Sequence, residues 1–180
     1  LVRVLTDGGV EPTLIGNGSG TASDITLTTY GVPEVPEPAA GNGYAIARSW
    51  FTMEGTSVDP SAIRQGTRLV AVVEVTPLEG GEARLIVNDP LPAGFEIDNP
   101  NLIRGGDLAG LDWLDKVEET RHTEFRQDRF IAAVDWTSPN PFRLAYIVRA
   151  VSPGSFHLPA ASVEDMYRPD YRAHSDAGQV

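Results

Sequence analysis

Wherever this chain runs for more than a few residues between prolines and glycines, its apolar side chains recur every second position. There are 14 prolines and 18 glycines in 180 residues, so the uninterrupted stretches are short. Period two over short segments is the pattern of strands, in which alternate side chains face opposite sides of a sheet. The stretch Thr67–Thr76 places Leu69, Ala71, Val73 and Val75 on one face and Val70 and Val72 on the other. A strand apolar on both faces belongs in the middle of a sandwich, covered from two sides. Arg84–Val87, Arg121–Phe125, Phe130–Trp136 and Phe142–Val151 repeat the pattern with aromatic and β-branched residues, and Tyr44–Met53 alternates more weakly. Strands separated by turn signals at such spacing predict an all-β, antiparallel β-sandwich of the immunoglobulin or fibronectin kind. One short helix is expected at Asp107–Lys116, where Leu108, Leu111 and Leu114 share a face and the end charges suit the helix dipole.

The stretch Gly31–Gly43 contains three prolines among small and acidic residues, the composition of an extended connector. It divides the chain into residues 1–33, read as terminal strands of a preceding β-domain or a strand that pairs with the main one, a linker at 34–43, and the sandwich at 44–180. Leu1–Leu5 and Asp24–Tyr30 are expected strands around the turn Gly16-Asn17-Gly18-Ser19-Gly20. That glycine-rich turn is not a phosphate loop, since no lysine is near and no helix pattern follows it.

Composition removes several functions. The formal charge is -11 and Lys116 is the one lysine, so the clustered cations that neutralise phosphates are missing, which argues against nucleic acid and anionic membranes. With no cysteine, the segment holds no disulfide, zinc–thiolate site or thiol nucleophile. No apolar run approaches the roughly 20 residues that span a bilayer. Leu1 begins mid-pattern, so an export signal is expected upstream. His122 and Glu124 share a strand face, but His157 and His174 are distant and a metal site needs more ligands, so no metal or other cofactor is expected. Glu118-Glu119 and Glu164-Asp165 are carboxylate pairs without any sign of a cleft. Ser49, Ser152 and Ser162 lack a nucleophile-elbow pattern, so no catalytic residue and no enzyme is expected.

Two segments are more informative. Asn88-Asp89-Pro90-Leu91-Pro92-Ala93-Gly94-Phe95 is expected to end a strand at Val87, turn at Asn-Asp-Pro, turn again at Pro92–Gly94 and return Phe95 to the core. In Leu158–Pro169, Val163 begins an extended run that leads to Met166, Tyr167 and Arg168 before a breaking proline. Either this is an edge strand with a buried tyrosine, or Met166 and Tyr167 form a surface apolar patch that docks on a neighbouring domain.

Taken in order, Gln65–Val70, Asn88–Pro100, Gly110–Leu114, Phe125–Phe130, Ala145–Ala150 and Val163–Pro169 resemble the C-terminal macroglobulin-like domain of bacterial α2-macroglobulins, from about Gly43 to Val180. The resemblance implies a non-catalytic part of a long periplasmic protease inhibitor, commonly lipid-anchored to the inner membrane. Its parent's thioester, formed in an upstream domain, reacts with attacking proteases after a bait region is cut. By the same resemblance this domain packs on the thioester domain, and Met166 and Tyr167, with Arg168 beside them, shield the bond from water. Relatives without a thioester exist. A penicillin-binding cell-wall synthase is a further implied partner, and the isolated chain is expected to be a monomer. The alternative is an extracytoplasmic Ig-like binding or adhesion module, although no calcium-ligand loop is evident.

Overall fold

The strand with two apolar faces lies inside its sheet, with a neighbour on each side. In a computed structural model, residues 16–18, 20–22, 24, 26, 35, 37–98, 111–114 and 120–180 are described. The chain divides into two compact units, Leu1–Val35 and Pro36–Val180. In the first, the side-chain amide of Asn17 donates to Thr21 O at 2.6 Å across the glycine-rich turn. The strands expected at Leu1–Leu5 and Asp24–Tyr30 fall outside the described residues apart from 24 and 26.

The second unit contains β1 (Ala40–Asn42), β2 (Tyr44–Phe51), β3 (Arg68–Pro77), β4 (Ala83–Pro90), β5 (Phe95–Ile97) and β6 (His122–Phe125). After them come β7 (Arg129–Trp136), β8 (Phe142–Ala150), β9 (His157–Leu158), β10 (Ser162–Asp165), β11 (Arg172–His174) and β12 (Gly178–Gln179). One sheet has the order β1-β11-β10-β4-β7-β6, the second β2-β3-β8-β5, and a small ribbon joins β12 to β9. All pairings are antiparallel. The expected antiparallel β-sandwich is the fold. Among the described residues the sole helical element is a 3-10 turn at Pro60–Ala62, capped by the Asp59 carboxylate, which accepts from Ser61 N.

Alternation assigns the faces. Leu69, Ala71, Val73 and Val75 of β3 point into the sandwich with Leu144 and Tyr146 of β8, against Leu85 and Val87 of β4. Each such buried Val or Leu side chain contributes about 1.5–3 kcal/mol. Val70 and Val72 point the other way. They are buried with Ala145 and Ile147 beneath Phe51, Met53, Leu111, Trp113 and Leu114. The segment 111–114 is one turn, with Leu114 N donating to Leu111 O at 2.9 Å, and the rest of the helix expected at Asp107–Lys116 lies outside the described residues. Trp113 is fixed there by its indole N–H, which donates to Met53 O at 2.9 Å.

Two local features differ from expectation. Ala40–Asn42, inside the stretch read as connector, is a strand paired with β11. Gly43, at φ +76°, then carries the chain from the first sheet to the second; a Cβ there would lie 2.2 Å from the Tyr171 ring. Asn88-Asp89-Pro90 is no turn. The strand continues to Pro90, with Asn88 opposite Ile131 and Asp89 opposite Phe130. A proline at the end of a strand forfeits no ladder bond that the pairing needs. The reversal comes later, where Phe95 N donates to Pro92 O at 2.9 Å, and Phe95 does return to the core beside Trp50.

Candidate functional site

Asp165 is the last residue of β10 and shares the inward parity of Val163, which leaves it only 1% exposed. A buried carboxylate needs donors, and the chain supplies them by turning over it. Asp165 Oδ1 accepts from Tyr167 N at 2.9 Å and Arg168 N at 3.3 Å, and Oδ2 accepts from Arg168 Nε at 2.8 Å. Arg168 N also reaches Asp165 O, and Asp165 N donates to Tyr171 O as the chain enters β11. Met166 N donates to Arg84 O of β4 at 2.8 Å, which ties the turn to the neighbouring strand.

The turn forms a knuckle whose large side chains Met166 and Tyr167 are exposed. Met166 is 54% and Tyr167 70% exposed. Arg84 Nη1 donates to the Tyr167 hydroxyl at 3.2 Å, and its guanidinium lies 5.6 Å from the ring centroid. Arg168 lies 4.6 Å over the Tyr171 ring, which in turn packs on Gly43.

Burial pushes the Asp165 carboxyl up. The Tyr167 amide and the Arg168 side chain more than reverse this and hold it below the ordinary range. Asp165 in turn raises Arg168 through the hydrogen bond between them. Beneath the knuckle, Tyr44 is raised by burial first and by the Asp165 charge second.

The three residues expected from the sequence are therefore consecutive in one ordered turn. The structure departs from the reading of an edge strand with a buried tyrosine: β10 lies between β11 and β4, and Tyr167 is exposed. His122 is exposed on β6, while Glu124 pairs with Arg126 at 2.8 Å, and that hydrogen bond holds its carboxyl low. Among the described residues no three His, Asp or Glu side chains are grouped to hold a metal.

Sequence reasoning missed a second polar cluster. Arg48 of β2 and Tyr146 of β8 reach from one sheet to Asp89 of β4 in the other. Arg48 Nη1 bonds Asp89 Oδ1, Arg48 Nη2 donates to Pro159 O at 2.7 Å, and Tyr146 OH donates to Asp89 Oδ2 at 2.6 Å. The Arg48 and Asp89 side chains are 4% and 0% exposed. Burial pushes Asp89 up against the opposing pull of Arg48 and the Tyr146 hydroxyl, and it pushes Tyr146 well above its ordinary value. The available signal was parity: Arg48 falls in step with Tyr44, Ile46 and Trp50, and Asp89 with Leu85 and Val87.

Residues 43–170, which take in β2 to β10 and the knuckle, match the family model described as the bacterial alpha-2-macroglobulin MG10 domain. The chain belongs to the bacterial α2-macroglobulin family. An α2-macroglobulin of Xylella fastidiosa is 34% identical over 149 residues, covering 79% of this chain and 9% of that relative. Trypsin-activated α2-macroglobulin from Escherichia coli superposes with a TM-score of 0.69 at 31% identity, over 83% of this chain and 11% of that one. Salmonella α2-macroglobulin reacted with methylamine superposes with a TM-score of 0.68 at 33% identity, over 81% of this chain and 9% of that one. The chain thus spans about a tenth of the length of the macroglobulins it matches.

Proposed function

We propose that this MG10 domain is a non-catalytic lid of a periplasmic, protease-trapping α2-macroglobulin, and that it packs on the thioester-bearing domain of the same parent chain through Met166 and Tyr167. The observation that carries this reading is the exposed Met–Tyr pair on a turn whose buried carboxylate accepts hydrogen bonds from Tyr167 N, Arg168 N and Arg168 Nε. A thioester is lost to water and to amines, so it survives only where apolar groups keep solvent away. Met adapts to the contour of a partner, and Tyr contributes area with one polar end. The segment has no cysteine, so the thioester would be formed elsewhere in the parent. Methylamine is the small nucleophile that opens a thioester, and a Salmonella relative has been crystallised after reaction with it. The Escherichia coli relative is activated by trypsin. Withdrawal of the lid as a rigid body would then expose the bond.

The test is made in the long parent protein. Tyr167→Ala should accelerate methylamine incorporation and thiol release several-fold, read by intact mass and thiol titration, while the melting temperature stays unchanged. Identical incorporation kinetics in the variant and the wild type would rule the lid out.

A further inference from the structure

We propose that Asp165 is the positioning residue of this lid: its buried carboxylate fixes the backbone on which Met166 and Tyr167 stand, with Arg84 holding the Tyr167 ring from the adjacent strand. The inference rests on the lid reading above and adds the group that sets the lid's geometry. Three observations carry it.

The first is donor accounting. A two-residue projection could be made by any polar turn, yet here one side chain that is almost wholly buried takes the amides of Tyr167 and Arg168 and the Nε of Arg168. Those are the backbone of the second lid residue and two of the donors, the backbone N and Nε, of the residue that follows it. The second is the neighbouring strand. Arg84 serves both lid residues, its carbonyl accepting from Met166 N and its guanidinium donating to the Tyr167 hydroxyl and lying against the ring. Arg84 in turn faces Asp135 at 3.7 Å, and Asp135 pairs with Arg121 at 2.5 Å. The third is the chemistry of the hydroxyl. With Arg84 donating to it, the Tyr167 hydroxyl still has its own proton to donate to a partner surface. An apolar side chain that must exclude water from a reactive bond loses that capacity when it samples several orientations, so ordering before contact strengthens docking.

Two measurements separate positioning from general loosening. In the 180-residue chain, amide hydrogen exchange at Tyr167 and Arg168 should be slow in the wild type and fast in Asp165→Ala, while the β3 and β8 amides stay protected. In the long parent, Asp165→Ala should raise the methylamine incorporation rate several-fold. It should add nothing further in a Met166→Ala/Tyr167→Ala background, where no lid side chains remain to be positioned. Asp165→Asn keeps the acceptor for both amides and loses the Arg168 Nε bond, so it should fall between wild type and Asp165→Ala; it also serves if the alanine variant folds poorly. Protected amides in Asp165→Ala overturn the proposal. So does an unchanged amine rate in Asp165→Ala when Met166→Ala/Tyr167→Ala is fast, or an equal increase in both backgrounds. If Met166→Ala/Tyr167→Ala itself incorporates methylamine at the wild-type rate, the lid reading falls, and the amide exchange alone decides whether Asp165 positions the turn.

Discussion

Two aspartates in this domain are almost wholly buried, each paired with an arginine, and they do opposite things. Asp89 lies inside the sandwich, where Arg48 and Tyr146 close on it from the opposing sheet and the Arg48 side chain is only 4% exposed. Asp165 lies at the end of a strand, where its donors come from the turn immediately after it and the residues so ordered face outward. The first spends a buried charge on joining two layers, the second on presenting a surface. The difference follows from where the donors sit in the chain. Partners 41 and 57 residues away tie sheets together, whereas partners two and three residues away shape a single turn.

The comparison breaks most visibly at Asp89. Asp89→Ala strands the Arg48 guanidinium in the core and should cost about 3–5 kcal/mol in denaturant unfolding of the 180-residue chain. A loss as small as that of a surface substitution would mean the trans-sheet pair is not holding the layers. Tyr146→Phe removes one donor and keeps the stacked ring, which lies 4.5 Å from Phe130. A smaller loss of about 1–3 kcal/mol is expected from the partly unsatisfied carboxylate.

The two aspartates should also respond to acid with opposite sign. Asp165 is held below its ordinary value, so its contribution is complete above about pH 4 and is lost as pH falls through the depressed folded value. Asp89 is raised, so stability falls as pH climbs from about 4 through the elevated folded value, and is flat above it. Unfolding free energies of wild type and Asp165→Asn measured from pH 7 down to 3 should converge at the acid end, with a gap of about 1 kcal/mol at neutrality. A gap that widens on acidification would contradict the assigned direction. The smallest effect on stability belongs to Tyr167→Ala, within about 0.5 kcal/mol because its ring is exposed; a large loss would show that the knuckle is part of the core.

Much of this was legible in the residues. Period two and the Pro/Gly punctuation located β2, β3, β7 and β8 to within two residues, and the doubly apolar β3 announced a covered outer face before Trp113 was seen upon it. The Met166–Tyr167–Arg168 segment stood out because two large side chains precede a proline. Less visible was the continuation of β4 through Pro90. Turn chemistry reads Asn-Asp-Pro locally, whereas pairing with β7 holds the strand straight and needs no N–H from its last residue. Strand β1 was hidden for a similar reason: its register comes entirely from β11, with paired residues 130 to 134 positions apart.

The sequence by itself determined the fold class, the family and the order of the strands' inward faces, because side-chain alternation is a property of neighbours in the chain. It also determined that this segment carries no thiol. Tertiary structure alone decided that Arg48, Asp89 and Tyr146 meet, that β10 is an internal strand, and that Tyr167 stands exposed above a buried carboxylate. Those outcomes depend on which strand lies beside or across from which. Long-range pairing sets that, and no local pattern of residues encodes it.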